Sequence, residues 1–239
     1  MGADQVNKYN SPRWKKKREH ILRRDGWIDQ VMIRDGVKIE ADTVHHILPR
    51  EQYPEYEWED WNLISVNRMT HTKRIHNVWN GDLTRLGKTL MIETAQANGV
   101  PLQMTTLVVG LPGTGKTTYA KRNLHGGLAY DLDMIASAFR LAVPGKEPQH
   151  AGARRMAAAL RSGWIQAAKQ YSNNLIVIRT APDEAELAET QPDRIVVCTK
   201  QFVDRKINAD REALQSQLEN VISWAEANDV PVEWHPPRG

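Results

Sequence analysis

Residues 110–118 have the composition of a loop that could hold phosphate groups. They read GLPGTGKTT and follow the apolar letters TTLVV, which predict a buried strand. Glycines let consecutive backbone N–H groups turn toward phosphate oxygens, Lys116 can neutralise the β- and γ-phosphates of a nucleotide, and Thr117 can hold Mg²⁺. We therefore predict a nucleotide site formed by eight residues: Gly110, Pro112, Gly113, Thr114, Gly115, Lys116, Thr117 and Thr118.

Two aspartates follow the next predicted strand and could take part in phosphate transfer. Asp131 and Asp133 stand in the letters LAYDLD, whereas the two later apolar strands, NLIVI and RIVVC, end without acids. A motor ATPase usually positions Mg²⁺ and water with an acid at the end of such a strand. The placement here favours a phosphotransferase in which a carboxylate takes the proton from an acceptor hydroxyl. Capping of the following helix is the other role open to Asp133.

Half of the eight histidines lie in one short stretch and could serve a metal-dependent reaction: His45, His46, His71 and His76. Adjacent positions at a strand end can point two rings in different directions, so that one imidazole binds a divalent ion while the other deprotonates water. Asn62 lies sixteen residues after His46, and His71 lies nine residues further. His76 follows five residues later, a rotation of about 140° on an α-helix, so its role stays open.

The letters VHHILP, together with Asn62 and His71, resemble the HNH endonuclease family, which has a small ββα-metal fold. The resemblance implies His46 as the general base, His45 and His71 as metal ligands, and Asn62 as the residue that orients the loop and the base. It also implies a divalent metal such as Mg²⁺, Mn²⁺ or Ni²⁺, and a nucleic-acid partner, with DNA expected rather than RNA. A relic domain that binds DNA without cutting it is the alternative interpretation.

Many members of that family also hold a structural zinc ion with two CxxC pairs. The corresponding positions here are Trp27-Ile-Asp-Gln30 and Asn67-Arg-Met-Thr70, and Cys198 is the single cysteine of the chain. We therefore expect no structural zinc. Aromatic packing is expected to replace it, through four tryptophans: Trp27, Trp58, Trp61 and Trp79.

Residues 103–239 resemble the small P-loop kinases of the polynucleotide-kinase type, on GLPGTGKTT followed by YDLDMIASAFR. The resemblance implies ATP and Mg²⁺ as cofactors, with Lys116 and Thr117 at the phosphates. It implies Asp133 as the base that activates the 5′-hydroxyl of a nucleic-acid end. Asp131 is the second match and an expected substrate contact.

The chain departs from this family at one position. The arginine usually found three residues after the base is Ala136 here, and the nearest candidate for gripping the substrate phosphate is Arg140. Arg205 and Arg211 could belong to a lid that contacts the ATP phosphates, and surface salt bridges would explain them equally well. The departure leaves a hydroxymethylated DNA base or a free nucleoside open as the acceptor.

The elements around these residues predict an α/β protein with two domains. Short strands over 30–48 and in NLISVN, followed by a short helix, predict a ββα-metal (HNH) domain at 1–85, and a linking helix follows at 86–101. Strands alternate with helices from residue 102 onward, which predicts a P-loop kinase domain at 102–239 with a parallel sheet flanked by helices.

Composition and charge narrow the class of protein. With 41% hydrophobic and 26% charged residues the chain has a globular mixture, and no apolar run approaches the about 20 residues of a membrane helix. One cysteine excludes a disulfide framework, and we expect no signal peptide because residues 1–10 lack a basic segment followed by an apolar run. We expect a cytoplasmic protein without a membrane partner, located in the host cytoplasm if a phage encodes it. Basic residues concentrate in 8–24, which is typical of a solvated helix face or of contact with phosphate backbones.

These features together predict a bifunctional enzyme that processes nucleic-acid ends. A metal-dependent HNH endonuclease would be joined to an ATP-dependent polynucleotide 5′-hydroxyl kinase. One alternative keeps the kinase, changes its acceptor, and uses the N-terminal domain for DNA binding. Another is a non-catalytic DNA-binding module with a regulatory ATP switch.

Overall fold

The computed structural model describes residues 9–141, 150–172, 174–198 and 208–235, with only the backbone of 208–211 and 213–215. The chain divides into two compact units, Met1–Val100 and Pro101–Gly239. Among the described helices, none combines the length and the apolar character of a membrane span.

The first unit begins with helix α1, Pro12–Arg24. The Ser11 hydroxyl caps it by accepting a hydrogen bond from the backbone N of Trp14 at 3.2 Å. One face of the helix buries Ile21 and Leu22 against the two strands of the unit. Most of the basic side chains of α1 consequently lie at its surface.

Two short strands and a short helix form the centre of the first unit. Strands β1 (Thr43–His46) and β2 (Leu63–Val66) are antiparallel partners over four residues each. Helix α2 (Arg68–Thr70) follows β2 and runs directly into a π-helical turn at His71–Ile75. This is the predicted ββα order, in a compact form.

Three 3₁₀ turns complete the connections: Met32–Asp35, Pro54–Tyr56 and Asp60–Asn62. The first of them corrects the prediction of strands across residues 30–48, where only β1 forms as a strand. Asp29 is the physical reason, because its carboxylate accepts hydrogen bonds from the backbone N of Val31 and of Met32, both at 2.9 Å. These bonds curl the backbone into a turn.

Helix α3, Arg85–Ala97, is the last element of the first unit. Its Leu90 packs into a buried cluster that includes Ile47 and Ile75. The helix expected at 86–101 as a link between domains is thus part of the core of the first unit.

The second unit is built on a five-stranded parallel sheet. Its strands are β3 (Thr105–Val109), β4 (Leu128–Asp131), β5 (Leu175–Ile178), β6 (Arg194–Cys198) and β7 (Val232–His235). They lie side by side in the order β4-β5-β3-β6-β7. Its helices are α4 (Lys116–Asn123), α5 (Leu132–Ala138), α6 (Ala151–Tyr171), α7 (Glu184–Thr190) and α8 (Asn208–Ala227).

Both faces of this sheet are covered, which confirms the predicted parallel sheet flanked by helices. Leu107 of β3 packs on one face with Ile165 of α6 and Val221 of α8. Its neighbour Val108 packs on the other face with Ala120 of α4. Burial on both faces explains why the central strands are uninterrupted apolar runs. Since the strands are parallel, the segments that follow β3, β4 and β5 meet at one edge of the sheet.

Candidate functional sites

Three histidines of the first unit converge on one point. One ring nitrogen from each of His45, His71 and His76 lies within 4.8 Å of the other two. The ring centroid of His45 is 5.1 Å from each of the others, and those of His71 and His76 are 4.8 Å apart. Three imidazoles at such separations form a ligand set suited to a divalent transition metal.

The π-helical turn brings His76 into this cluster. In the turn, the backbone N of His76 donates to the carbonyl oxygen of His71 at 3.0 Å, which is the i to i+5 hydrogen bond of a π-helix. An α-helix would carry the side chain about 140° away from His71. The sequence left the role of His76 open, and the structure places it beside both predicted metal ligands.

Hydrogen bonding and burial prepare the cluster for a cation. The Nδ1 of His76 donates to the carbonyl oxygen of Gly81 at 2.7 Å, which leaves Nε2 as its lone-pair atom. Burial, reinforced by the neighbouring imidazoles, lowers the pKa of His45 well below its usual value. Burial and the charge of His76 lower the pKa of His71 to about 4. His45 and His71 are therefore uncharged at neutral pH, with lone pairs available.

His46, the predicted general base, lies next to His45 but in different surroundings. Its ring stacks on Trp14, with centroids 5.0 Å apart and planes inclined by 17°. Its Nε2 lies 3.1 Å from the carbonyl oxygen of Glu57. Because a carbonyl oxygen only accepts, Nε2 carries the proton and Nδ1 carries the lone pair. Burial lowers the pKa of His46, partly opposed by Glu57, so the ring is neutral at neutral pH.

Asn62 connects the two segments that position His46. Its Oδ1 accepts from the backbone N of Leu48 at 2.6 Å, and its Nδ2 donates to the carbonyl oxygens of Leu48 at 3.3 Å and Tyr56 at 3.0 Å. Tyr56 immediately precedes Glu57, the hydrogen-bond partner of the base. Asn62 is completely buried, so these bonds fix the loop around His46 without competition from water.

Asp29 connects segments 27–30 and 67–70, the two positions at which the HNH resemblance would place zinc-binding cysteines. Its Oδ2 accepts from the backbone N of Asn67 at 2.7 Å, while its Oδ1 accepts from Val31 and Met32. The side chain is completely buried. A carboxylate that accepts three backbone N–H groups therefore joins segments 27–30 and 67–70 directly.

The tryptophans contribute less to this connection than expected. Trp27 is 43% exposed and Trp79 is 92% exposed, so the prediction that both would pack in place of zinc is wrong. Trp58 does pack, edge-on against Trp14 with centroids 6.2 Å apart. Trp61 packs against a neighbouring tyrosine ring within its own loop. The hydrogen bonds of Asp29, which need no metal, take the role expected of aromatic packing.

A cavity of about 450 Å³ contains these histidines. Its wall includes all four rings and, from the basic helix α1, the side chain of Arg18. The Arg18 guanidinium donates to the carbonyl oxygen of Asp42. The site therefore places one cation of α1 beside the histidine cluster.

In the second unit, residues 110–115 form a tight turn between β3 and α4. Gly110, Gly113 and Gly115 have φ values of 146°, 79° and 90°. A Cβ on Gly110 would lie 2.3 Å from the carbonyl oxygen of Cys198, so a larger residue cannot fit. The turn ends at the N-terminus of α4, where backbone N–H groups favour an anion.

This turn borders a cavity of about 650 Å³. Six of the eight residues predicted for nucleotide binding line it: Pro112, Gly113, Gly115, Lys116, Thr117 and Thr118. The other two shape the turn: Gly110 through its backbone, and Thr114 through a hydrogen bond from its hydroxyl to the carbonyl oxygen of Leu111 at 2.8 Å.

Lys116 folds back over the turn. Its Nζ donates to the carbonyl oxygens of Gly110 at 2.6 Å and of Leu111 at 2.8 Å. Burial lowers the pKa of Lys116, opposed by the negative charges of Asp131 and Asp133. The ammonium group is thus held at the cavity by neutral carbonyl groups.

Asp131 and Thr117 form a pair on the wall of the cavity. The Thr117 hydroxyl donates to Oδ2 of Asp131 at 2.8 Å, and Oδ1 of Asp131 accepts from the backbone N of Asp133 at 3.0 Å and of Met134 at 3.3 Å. Asp131 therefore caps α5, the role that had been open to Asp133. Asp131, predicted as a substrate contact, lines the cavity beside Thr117, the threonine expected to hold Mg²⁺.

Asp133 lines the cavity together with Arg154, a residue that the sequence did not indicate. Its carboxylate forms an ion pair with Arg154 of α6, and both residues line the cavity. Arg140 lies beyond the end of α5, exposed, and is not among the residues of the cavity wall. Ala136 is 6% exposed in a cluster between α5 and α6, where an arginine would not fit.

Arg179, at the end of β5, also lines the cavity. Its guanidinium pairs with Glu186, which in turn pairs with Arg161 of α6. Arg161 Nε donates to Glu189 at 3.0 Å. This network fixes Arg179 at the carboxyl edge of the sheet. Of the two predicted lid residues, Arg205 lies outside the described residues, and only the backbone of Arg211 is described, within α8.

No protein-family model matches the sequence, and the search of curated proteins finds no match. Among solved structures, an HNH endonuclease of the deep-sea thermophilic bacteriophage GVE2, solved with manganese, is similar at 22% identity and a TM-score of 0.28. It covers 30% of this chain and 77% of its own. An unliganded sugar kinase from Janibacter sp. HTCC2649 is similar at 15% identity and a TM-score of 0.32, over 56% of this chain and 86% of its own. Similarities of this strength establish no function.

Proposed function

We propose that the first unit is a metal-dependent HNH-type nuclease that cuts DNA. The observation that carries this proposal is the convergence of His45, His71 and His76 beside His46, an imidazole held by different partners. The three-nitrogen donor set fits a divalent ion such as Mn²⁺ or Ni²⁺, and Mg²⁺ fits less well because it prefers oxygen. A bound divalent ion would supply electrostatic stabilisation of the negative charge that develops on a scissile phosphate.

The remaining chemistry belongs to His46 and its neighbours. Nδ1 of His46 would take a proton from the attacking water, while Nε2–H keeps its bond to Glu57. Stacking on Trp14 and the buried bonds of Asn62 would hold the ring through this transfer. Attack on phosphorus with departure of the 3′ oxygen would leave 3′-hydroxyl and 5′-phosphate ends.

The surface of α1 supports a nucleic-acid substrate. Basic side chains lie along its exposed faces, and Arg18 reaches the wall of the histidine cavity. Such cations would follow the phosphate backbone toward the cluster and make binding dependent on salt concentration.

Plasmid cleavage with Mn²⁺, Mg²⁺ or Ni²⁺ tests the nuclease. We expect His46→Ala to abolish cleavage while retaining Mn²⁺ binding, because the ligand set is intact. His125→Ala, which alters an exposed histidine of the second unit, is the matched control and should cut like the wild type. Full cleavage by His46→Ala would overturn the assignment of the base. A wild-type protein that binds DNA in all three metals without cutting would identify a relic domain.

We further propose that the second unit is an ATP-dependent kinase whose acceptor is the 5′-hydroxyl of a polynucleotide. The observation that carries this proposal is the meeting of Lys116, the Thr117–Asp131 pair and the Asp133–Arg154 pair on one cavity. The glycine turn and the N-terminus of α4 fit the phosphates of a nucleotide. ATP with Mg²⁺ would supply the transferable phosphoryl group and neutralise part of its charge.

Each side chain would then have one task. Lys116 would exchange its carbonyl partners for phosphate oxygens, and Asp131 would keep the Thr117 hydroxyl oriented toward the cation site. Asp133 would accept the proton of the acceptor hydroxyl, with Arg154 holding its carboxylate in place.

Arg154 supports an acceptor that carries a phosphate. The cation expected at position 136 cannot fit between α5 and α6, and Arg154 of α6 supplies a cation on the same cavity wall. The phosphate that follows a 5′-terminal nucleoside could pair with it. A free nucleoside lacks this phosphate, so the geometry favours a polynucleotide over a free nucleoside.

Transfer from γ-labelled ATP tests the kinase. We expect label on a 5′-hydroxyl oligonucleotide, loss of label with Lys116→Ala, and loss of label with retained ATP binding with Asp133→Ala. Arg155→Ala, which alters the arginine next to Arg154 outside the cavity wall, is the control. Label on a free nucleoside or on an internal modified base instead would identify a different acceptor. ATP binding with no acceptor labelled would favour a regulatory switch.

A further inference from the structure

The loop between His76 and Asp82 presents an exposed tryptophan beside the histidine cluster. Trp79 is 92% exposed and the preceding Val78 is 60% exposed. An indole ring in this state has both faces available for stacking. Apolar side chains exposed next to a polar site indicate a binding surface more strongly than the same residues isolated elsewhere.

The backbone of this loop is held in one conformation. The backbone N of Asn77 donates to the carbonyl oxygen of Asp82 at 2.7 Å, and Gly81 donates back to Asn77 at 2.8 Å. The side-chain oxygen of Asn77 accepts from the backbone N of Trp79 at 2.9 Å. These bonds fix the position from which the indole ring projects.

The same loop is joined to a metal ligand. The carbonyl oxygen of Gly81 accepts the Nδ1–H of His76 at 2.7 Å. Trp79 lies three positions after His76, so their Cα atoms are at most about 11 Å apart, about three nucleotide steps at the rise of one DNA strand. Trp79 is therefore within a few nucleotides of any phosphate bound at the cluster.

We propose that Trp79 stacks on an unpaired nucleobase of the strand whose phosphodiester lies at the histidine cluster. The proposal rests on the nuclease function proposed above. Bases inside a duplex cover each other's faces, so an exposed indole selects a base in a single strand or at an unpaired position. A nucleic-acid partner fits better than a protein because two cations lie nearby. Lys73 is exposed in the π-helical turn that precedes the loop, and Arg18 lies on the wall of the histidine cavity.

Binding of a fluorescent 12-nucleotide single strand to the full chain, in EDTA to prevent cleavage, tests the proposal. We expect Trp79→Ala to weaken binding by about 5- to 150-fold, the range for loss of one base–aromatic stack, and Trp79→Phe to retain most of the affinity. Tyr171→Ala removes an aromatic ring that is 83% exposed at the end of α6 and should bind like the wild type. Mn²⁺ titration of Trp79→Ala should match the wild type, which shows that the cluster is intact.

Oligonucleotides with one abasic site, moved along the strand, locate the stacked base. At one position the abasic site should weaken the wild type but have no further effect on Trp79→Ala, since both changes remove the same contact. Equal affinity of Trp79→Ala and wild type on every strand would overturn the proposal, and so would additive losses at all positions. If the wild type cuts no nucleic acid, the nuclease function fails, whereas the binding result still decides the role of Trp79.

Discussion

Replacement of Asp29 by asparagine should destabilise the first unit strongly. The carboxylate of Asp29 accepts three backbone hydrogen bonds, from Val31, Met32 and Asn67, at 2.9, 2.9 and 2.7 Å, and it is fully buried. Asparagine keeps one acceptor oxygen and turns the other oxygen into an NH₂ donor. At least one backbone N–H group is then left without an acceptor and faces a second donor.

The magnitude follows from hydrogen-bond energetics. Bonds to a charged acceptor contribute about 1.5 to 3 kcal/mol and neutral ones about 1, so two weakened bonds cost about 1 kcal/mol each, and an unsatisfied buried N–H costs about 1 to 3 more. The total is about 3 to 5 kcal/mol. For a unit of this size, such a loss lowers the unfolding temperature by about 12 °C or more.

Calorimetry of the full chain in EDTA measures this change. Two transitions are expected, and the one that rises with ATP and Mg²⁺ in a separate scan belongs to the second unit. Asp35→Asn is the control, because Asp35 pairs with Arg74 at the surface, where an ion pair contributes about 0 to 1 kcal/mol. If Asp29→Asn shifts the first unit no further than Asp35→Asn, the inference that this carboxylate replaces a metal link is wrong.

Three further outcomes are expected. His76→Ala should weaken Mn²⁺ binding in isothermal titration calorimetry by more than the about 10- to 100-fold that is typical when a residue hydrogen-bonded to a metal ligand is lost. His20→Ala should leave Mn²⁺ binding unchanged. Equal Mn²⁺ affinities of the two variants would show that His76 is not a ligand. Asp131→Asn should weaken ATP binding in Mg²⁺ by about tenfold or more and leave binding without Mg²⁺ nearly unchanged, since it removes the charged partner of Thr117; equal losses in both conditions would contradict this role. Burial alone would raise the pKa of Asp25, but hydrogen bonds from Arg24 and Ser65 outweigh burial and lower the pKa below its ordinary value of 3.8. The stability contributed by the Asp25 carboxylate is therefore present above pH 3.8 and is lost as the pH falls through the lower pKa of the folded state. Asp25→Asn should therefore flatten the acid limb of unfolding temperature against pH, and an unchanged limb would contradict it.

The parts of the second unit that depend on local sequence could be predicted. Glycines at positions 110, 113 and 115 adopt the positive φ values that only glycine adopts freely, and apolar runs mark strands buried on both faces. Arg154 could not be predicted in this way. It lies twenty-one residues after Asp133, and its place on the cavity depends on how α5 packs against α6. Ala136 is the sequence feature that indicates this packing, because a small residue there permits the close approach of α5 and α6.

In the first unit, the features that the sequence did not predict are the π-helical turn at His71–Ile75 and the buried contacts of Asp29. The order of His45, His46, Asn62 and His71 indicates a candidate metal site, and the structure brings His45 and His71 together, but α-helical periodicity leaves the role of His76 open. Periodicity assumes 3.6 residues per turn, and a single π-helical turn breaks that assumption. Asp29 escaped notice because a buried acid is recognised only when its backbone partners are known.

The wide turn at His71–Ile75 also makes the spacing of the two histidines exchangeable. A chain with Lys73 deleted would have three residues between these two histidines, an i, i+4 spacing, and an ordinary α-helical turn would then place both rings on one face. Two histidine spacings that differ by one residue can thus give the same donor geometry, because a π-helical turn accommodates five positions where an α-helical turn accommodates four. A sequence pattern that requires a fixed interval between these two histidines would detect one spacing and miss the other. Two proteins that differ by one residue in this interval can therefore have the same arrangement of histidines.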